Sequence, residues 1–175
     1  LPGISDPGEE LISEAKSNGH EVICVPGPCA ATTALVSSGL PCKRFCFEGF
    51  LPQKGKEREK QLSIIAKETR TTVIYEAPHK LIKLLKDLNE LCGESRPLQV
   101  ARELTKLHEE HVGPTIGAAL NHFMIQKPLG ECTIVLGGAP EELEIQYTNS
   151  ELLTAMKGLI KGGASASEAA RSIAH

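Results

Sequence analysis

The sequence predicts an α/β protein. Apolar, β-prone runs alternate with helical patterns along most of the 175 residues, which is the arrangement expected of successive βα units. Helix-starting and helix-ending signals recur between these runs, with Pro at the beginning and Gly or Asn-Gly at the end. Hydrophobic residues make up 41% of the chain, enough for a globular core. We therefore expect a mixed or mainly parallel sheet covered by helices.

The chain opens with a loop rich in Gly and Pro, residues 1–8, that leads directly into an amphipathic helix. Asp6 is predicted to cap this helix, with Pro7 at the first helical position and Glu9 completing a capping box. The glycines of the loop allow its backbone to approach another molecule closely. The loop is therefore either a ligand cradle or an ordinary connection between a strand and a helix.

The alternation continues behind this loop. Helices are predicted at residues 7–17, 29–38, 56–68, 78–91 and 114–125. Strands are predicted at residues 21–25, 44–50, 71–76, 98–102 and 132–136. Two short helices are expected after residue 138, and Ser165 with Glu168 forms a capping box for the second one.

Three parts are predicted along the chain. Residues 40–43, Leu-Pro-Cys-Lys, have the composition of a hinge, and a second series of strands and helices begins behind them. Residues 1–40 hold too few elements to bury their own apolar faces, so we expect them to be the C-terminal remnant of a first α/β domain. Residues 41–138 then form a second α/β domain, and residues 139–175 a helical tail. Because the sequence starts inside a loop and without Met, we interpret it as a fragment.

Composition excludes several functions. The net charge of −3 provides no overall basic field for nucleic acid. No run is apolar enough to span a membrane, and no secretory signal is recognised, so a cytoplasmic protein is expected, with an organellar copy left open. Aromatic residues are only 3% of the chain and Trp is absent, which argues against a base-stacking platform.

Cysteine and histidine spacing predicts neither disulfides nor a metal. The six cysteines lack CxxC pairs and His partners, so we expect buried, reduced thiols. The run His108-Glu109-Glu110-His111 places its histidines three residues apart, whereas the helical zinc motif HExxH places them four apart. We therefore predict no metal site.

Six motifs follow one another in the chain. They are PGISDPG at 2–8, VPGPCAA at 25–31, FEGFLP at 47–52, YEAPHK at 75–80, ARELTK at 101–106 and GE at 130–131. Their order and approximate spacing resemble the tetrapyrrole methylase family, within it the 16S ribosomal RNA (cytidine-2′-O)-methyltransferases, over residues 1–138. The family's N-terminal strands and first glycine-rich loop have no counterpart in this sequence.

This resemblance implies a two-domain class III S-adenosylmethionine-dependent methyltransferase built from α/β/α sandwiches, with the first domain incomplete in this chain. It implies S-adenosylmethionine as cofactor in the cleft between the domains, and a homodimer. The implied reaction is 2′-O-methylation of a cytidine ribose in the decoding region of 16S rRNA in the small ribosomal subunit. With half of the cleft wall absent, the fragment alone is expected to bind the cofactor weakly and to be inactive.

The cofactor candidates lie in these motifs, mostly at strand ends. A methyl donor with a sulfonium, an amino-acid tail and an adenosine needs a close-fitting loop, a slot for the adenine and acceptors for its polar groups. Cys29 stands where the family usually has Ser. The candidates are Gly3, Ile4, Ser5, Asp6, Ala30, Ala31, Tyr75, Glu76, Pro78, Ala101 and Glu131.

Ribose methylation requires the 2′-hydroxyl to lose its proton as it attacks the methyl group. The catalytic candidates are Glu103 and Glu76, either of which can accept this proton, and Lys106, which can lower the pKa of the hydroxyl. Positioning alone is an alternative source of much of the rate.

Four cations are candidates for RNA contact. Lys54, Lys56 and Arg58 lie in a charged run beside a flexible Gly, and Arg102 ends a strand beside the catalytic candidates. Glutamates interrupt the run, so an exposed helix face is the alternative interpretation.

Two other functions stay open. A tetrapyrrole methyltransferase of the same superfamily needs a large apolar cleft, whereas this chain has few aromatic residues and a Lys-rich loop. A non-catalytic RNA-binding or dimerising fragment is the third hypothesis, and it predicts no binding of S-adenosylmethionine.

Overall fold

The computed structural model describes residues 1–140 and 149–173. The chain divides into two compact units, Leu1–Pro140 and Glu141–His175. The boundary predicted at residues 40–43 stays a prediction.

The described residues contain seven helices and five strands. The helices are α1 (Glu9–Ser17), α2 (Ala30–Ser38), α3 (Gly55–Lys67), α4 (Pro78–Cys92), α5 (Ile116–Ile125), α6 (Asn149–Lys161) and α7 (Ala166–Ile173). The strands are β1 (Phe45–Phe50), β2 (Thr71–Glu76), β3 (Leu98–Arg102), β4 (Glu110–Val112) and β5 (Cys132–Leu136). No described helix has the length and hydropathy needed to cross a membrane.

The strands form one mixed sheet in the order β1-β2-β5-β3-β4. β1 and β2 are parallel, while β5 lies antiparallel between β2 and β3, and β4 pairs antiparallel with β3. The first residue of β5, Cys132, is therefore in register with Glu76 at the end of β2 and with Arg102 at the end of β3. This register brings three motifs that are far apart in sequence to one edge of the sheet.

Helices cover both faces of the sheet. On one face, α3, α4 and α5 pack a cluster of leucines, isoleucines and Phe123 against β2, β3 and β5. The spacing of Leu81, Leu84, Leu85 and Leu88 places all four on one side of α4, and each is fully buried. Burial of one such side chain stabilises the fold by roughly 1.5–3 kcal/mol. On the other face, α2 packs its small residues against β2, β3 and β5.

The predicted strand at residues 21–25 is wrong. Ile23 and Val25 are 76% and 80% exposed, and no strand among the described residues pairs with this segment. Extended backbone without a partner strand leaves its hydrogen-bonding groups to water, so β-propensity alone does not make a strand. The short polar strand β4 was not predicted. The other predicted strands in residues 1–140, and the helices there, agree with the structure to within two residues.

The predicted cap at Asp6 is also wrong. Helix α1 begins at Glu9 with Gly8 as its N-cap, and no side chain caps it. Ser5 and Gly8 have φ angles of 52° and 127°, so the chain turns on both sides of Asp6 before the helix starts. The capping box at α7 is confirmed: Ser165 Oγ accepts from the Glu168 N–H at 3.3 Å, and Glu168 Oε2 accepts from the Ser165 N–H at 3.0 Å.

The cysteines are free thiols, as predicted, but most of them are not buried. Cys24 and Cys42 are exposed, and Cys132 is the only buried one.

Candidate functional site

A cavity of about 480 Å³ lies at the sheet edge where β1 and β2 end and β5 begins. The opening loop, the start of α2 and these strand ends form its walls. Ligands in open α/β sheets bind at such carboxyl-terminal edges. The lining residues are Leu1, Ile4, Ser5, Asp6, Cys29, Ala30, Phe50, Tyr75, Glu76, Ala77, Pro78, Glu131, Cys132 and Thr133.

Glu76 is the buried carboxylate of this cavity, with 7% of its surface exposed. Its Oε1 accepts a hydrogen bond from the N–H of Ala77 at 2.9 Å. That is its only side-chain hydrogen bond within the described part of the chain. A buried carboxylate needs several donors to offset its lost hydration, so Glu76 offers acceptor capacity to a molecule in the cavity.

Tyr75 anchors α2 to the sheet. Its hydroxyl accepts a hydrogen bond from the N–H of Ala31 at 3.0 Å, and its ring packs edge-on against Phe47 with centroids 5.1 Å apart. Burial raises the pKa of Tyr75, and the neighbouring Cys29 raises it further. The side chain is therefore a neutral phenol that holds the first turn of α2 at the cavity wall.

Cys29 lies at the N-cap of α2 and lines the cavity. Burial raises the pKa of its thiol, but the N–H groups of Thr32 and Ala31 and the hydroxyls of Thr32 and Tyr75 outweigh burial, and the net pKa is lowered. Cys132 lines the same cavity, and burial raises the pKa of its thiol to about 11. The two thiols of the cavity therefore differ in their tendency to ionise.

The opening loop fits closely against β1. Ser5 has a φ of 52°, and the β1 bulge at Gly49 faces it, so a Cβ at Gly49 would lie 2.8 Å from Ser5 Oγ. Four residues of this loop are predicted to contact the cofactor. Of these, Ile4, Ser5 and Asp6 line the cavity, and Gly3 does not. A glycine at residue 49 thus allows the loop to form this wall.

A charged cluster stands at the rim of the cavity. Lys106 Nζ lies 3.0 Å from Glu103 Oε1 and 3.0 Å from Glu131 Oε2. The N–H of Glu131 and the Lys106 ammonium hold the pKa of Glu103 below its usual value, and the two carboxylates raise the pKa of Lys106. Glu131 lines the cavity, but Glu103 and Lys106 do not.

Several predicted contacts lie away from the cavity. Ala31 and Ala101 are buried in the core behind its wall, at 3% and 1% exposure. Arg102 is 17% exposed, pairs with Glu110 at 2.9 Å and donates to the Leu129 carbonyl at 3.0 Å. Its guanidinium is thus engaged within the protein, and the predicted RNA contact of Arg102 stays a prediction.

The cations of the charged run at the start of α3 differ in exposure, because the helix turns some of them to solvent and one toward the protein. Lys54 and Lys56 are exposed, but Arg58 is buried at 6% exposure. Its Nη2 pairs with Asp87 at 2.9 Å and its Nη1 donates to the Pro52 carbonyl at 3.1 Å. We correct the prediction for Arg58, because this packing holds its guanidinium between α3 and α4.

The side chains of the His108–His111 run do not form a metal site. His111 Nε2 lies 2.9 Å from Glu109 Oε1, and His111 Nδ1 lies 2.7 Å from Gln99 Nε2. Within residues 1–140 and 149–173, no group of three or more His, Cys, Asp or Glu side chains has the geometry of a metal site.

Six lining residues are absent from the predicted candidates: Leu1, Cys29, Phe50, Ala77, Cys132 and Thr133. Phe50 and Ala77 belong to two of the motifs, so they had a signal. Cys132 and Thr133 are ordinary strand residues, and only the insertion of β5 beside β2 brings them to the cavity.

Comparison with known proteins identifies relatives of this chain. The family model for tetrapyrrole (corrin/porphyrin) methylases matches residues 2–120. The ribosomal RNA small subunit methyltransferase I of Synechocystis sp. is 42% identical over 173 residues, which are 99% of this chain and 62% of that protein. The protein of the same name from Thermotoga maritima is 46% identical over 138 residues, 79% of this chain and 61% of that protein. The chain thus spans about three fifths of the length of these relatives.

Solved structures share the fold. The methyltransferase CobJ matches with a TM-score of 0.60 and 22% identity, over 79% of this chain and 61% of its own. The cobalt precorrin-4 methyltransferase CbiF matches with a TM-score of 0.54 and 17% identity, over 73% of this chain and 56% of its own. The predicted α/β fold of class III methyltransferases is confirmed.

Proposed function

Because the chain belongs to the tetrapyrrole (corrin/porphyrin) methylase family, we propose that it is part of an S-adenosylmethionine-dependent methyltransferase that acts on ribosomal RNA of the small subunit. The curated relatives that carry this function in their names are 42% and 46% identical to it. Solved enzymes of tetrapyrrole synthesis share the fold at 22% identity or less. Sequence similarity therefore favours RNA over a tetrapyrrole as the substrate.

The observation that carries the proposal is the cavity with its buried carboxylate. A volume of about 480 Å³ lies within the usual range for small-molecule sites, roughly 300–1,000 Å³. Glu76 supplies an acceptor with unused capacity for an ammonium or a ribose hydroxyl. This acceptor thus fits S-adenosylmethionine, which carries a sulfonium, an ammonium and two ribose hydroxyls.

The residues that would hold the cofactor belong to four of the motifs. The loop residues Ile4, Ser5 and Asp6 would supply one wall. The others are Ala30, Tyr75, Glu76, Pro78 and Glu131. When bound, the cofactor supplies a methyl group on a sulfonium, which a nucleophilic oxygen attacks.

The catalytic proposal centres on Glu76. As the buried carboxylate of the cavity, it would accept the proton that the ribose 2′-hydroxyl loses. Glu103 is a weaker candidate, because its carboxylate is occupied by Lys106 and by the Glu131 N–H and its pKa is lowered. We propose that Glu103 positions Glu131, and that Lys106 provides positive charge at the rim.

The finer parts of the proposal are the cytidine 2′-oxygen in the decoding region, the homodimer and a cytoplasmic location. They derive from the family resemblance alone.

Two measurements test the proposed function. Isothermal titration of the full-length protein with S-adenosylmethionine should show binding, and absence of binding would refute an enzymatic role. Ribose methylation should then be mapped on small-subunit RNA from cells with and without the gene. We expect one decoding-region cytidine to lose its methyl group without the gene, and an unchanged pattern at every such cytidine would refute the RNA substrate.

A further inference from the structure

A groove of about 320 Å³ runs between α3 and α4, separate from the cavity described above. Lys54 and Gly55 at the start of α3, with Glu59 one turn further along, and Lys83 in the second turn of α4 lie toward one end of the groove. Glu90 and Leu91, near the end of α4, lie toward the other. Because both helices follow parallel strands, they run in the same direction. One end of the groove therefore carries the lysines, and the other end carries Glu90 and Leu91.

Arg58 forms part of the groove wall, and its guanidinium joins the two helices. Its pairing with Asp87 at 2.9 Å neutralises the acid nearest to Lys83 on α4. Arg58 Nε has no hydrogen-bond partner in residues 1–140 and 149–173. This atom is buried, so Arg58 acts within the wall of the groove, and with Asp87 paired to it Glu59 is the remaining carboxylate at the lysine end.

The charge of these helices differs from that of the whole chain. Residues 54–67 and 78–92 contain eight Lys and Arg against four Asp and Glu, whereas the chain has a net charge of −3. Lys54 and Lys83 are exposed and take part in no ion pair among the described residues. Two unpaired ammonium groups outnumber the single Glu59 carboxylate at this end of the groove, and this excess of positive charge favours a phosphate or another anion.

The lysine end of the groove adjoins the candidate cofactor cavity. β1 and β2 are parallel, so α3 and α4 both begin near the sheet edge that bears the cavity. Pro78 at the start of α4 lines the cavity, and Lys83 lines the groove. A rise of about 1.5 Å per residue separates their backbones by only about 7.5 Å along the helix. A strand of RNA that enters the cavity from the side of α4 would therefore pass the groove.

We propose that the lysine end of this groove, Lys54 and Lys83, binds a backbone phosphate of the RNA strand whose ribose enters the cavity. The proposal rests on the proposed function, because it assumes an RNA substrate. It assigns RNA contact to α4 as well as α3, and it excludes Arg58, whose role is to hold the groove together.

Charge reversal tests the proposal in the full-length protein. Lys54→Glu and Lys83→Glu, singly and together, should be compared with Lys67→Glu, an exposed lysine at the C-terminal end of α3. Affinity for a short single-stranded RNA of the decoding region is measured by fluorescence anisotropy at several salt concentrations. We expect each groove variant to weaken RNA binding about tenfold and to lower the slope of log K against log salt by about 0.7. Lys67→Glu should stay within about twofold of the wild type.

Further measurements separate this proposal from the proposed function. Calorimetry with S-adenosylmethionine should give unchanged affinity in the groove variants, because neither lysine lines the cavity. The conservative variants Lys54→Arg and Lys83→Arg should retain RNA binding. If the groove variants have the same RNA affinity and salt slope as Lys67→Glu, the groove site is overturned. The proposed function is judged separately, by whether the wild type binds cofactor and methylates RNA. If a poly-glutamate peptide binds the wild type more tightly than RNA does, and the same variants lose that binding, RNA is overturned as the ligand.

Discussion

Glu103 and Glu131 bond to each other twice: the Glu131 N–H donates to Glu103 Oε1 at 2.9 Å, and the Glu103 N–H donates to the Glu131 carbonyl at 3.0 Å. These bonds tie the loop after β3 to the residue before β5. Glu131 lines the cavity and Glu103 does not. The geometry of the cavity rim therefore depends on a residue outside the cavity.

Substitution at Glu103 should affect binding more than chemistry. Loss of one hydrogen bond costs about 0.5–1.5 kcal/mol, so Glu103→Ala should raise the KM for S-adenosylmethionine about twofold to tenfold while kcat stays within about threefold. Glu103→Gln keeps an acceptor for the Glu131 N–H, so its effect on KM should be milder.

Glu76→Gln should lower kcat about 100-fold, the contribution expected of a general base. Steady-state kinetics of the full-length protein measure both, and a large kcat loss in Glu103→Gln would make Glu103 the base.

Gly130 should tolerate no side chain. A Cβ at this position would overlap the Glu103 carboxylate, and Gly130 has a φ of 76°. Gly19 has the same φ of 76°, with no atom within 4 Å of its Cβ position, so Gly19→Ala measures the backbone cost alone, about 1 kcal/mol. Gly130→Ala should lose about 1–3 kcal/mol more in urea unfolding, because the overlap adds to the backbone cost. Equal losses in the two variants would mean that Glu103 moves aside freely.

Glu68 should contribute to stability at neutral pH and lose that contribution in acid. Two hydrogen bonds from the Arg70 guanidinium at 2.8 Å, with one from the Arg70 N–H, lower the pKa of Glu68 from 4.5 to about 2. A lowered folded-state pKa stabilises the fold above pH 4.5, and this stabilisation disappears as the pH falls toward 2.

Urea unfolding at pH 6 and pH 3 measures this linkage. Glu68→Gln should be modestly less stable than the wild type at pH 6, and the difference should shrink at pH 3. The control Glu57→Gln changes an exposed glutamate without a hydrogen bond or ion pair in the described residues. A Glu68→Gln deficit that is equal at both pH values would contradict the linkage.

Cys29 should report on occupancy of the cavity. Its thiol pKa is lowered, whereas that of Cys132 in the same cavity is raised to about 11, and the thiolate is the form that alkylates. At pH 7.5, iodoacetamide should label Cys29 several times faster than Cys132, as followed by peptide mass spectrometry. S-adenosylmethionine should protect Cys29 in the full-length protein and leave the exposed Cys42 unprotected. Equal labelling of Cys29 with and without cofactor would place the cofactor elsewhere.

The elements that the sequence predicted correctly depend on short-range interactions. The leucines of α4 recur with helical spacing, and Ser165 and Glu168 satisfy each other's backbone N–H groups within one turn. Such patterns are legible in sequence because the interacting groups are three or four residues apart. The motifs at strand ends likewise indicated which segments would form the cavity walls.

The incorrect predictions have different causes: a missing partner strand, an ion-pair partner that is distant in the chain, and turns close to the predicted cap. Residues 21–25 have strand composition but no partner strand in the described structure. Arg58 looks like part of an exposed basic run, yet Asp87, 29 residues away, holds it between two helices. Asp6 has the sequence context of a cap, but the turns around it displace the helix start to Glu9.

The sequence by itself determined the α/β class, most element positions and the family. Only the tertiary structure decided which motif residues face the cavity and which lie behind it. The antiparallel insertion of β5 between β2 and β3 sets Cys132 beside both Glu76 and Arg102, and it decides that Glu76 faces the cavity while Glu103 supports its rim. Strand order depends on burying all faces of the sheet and helices at once, and no local pattern encodes that free energy.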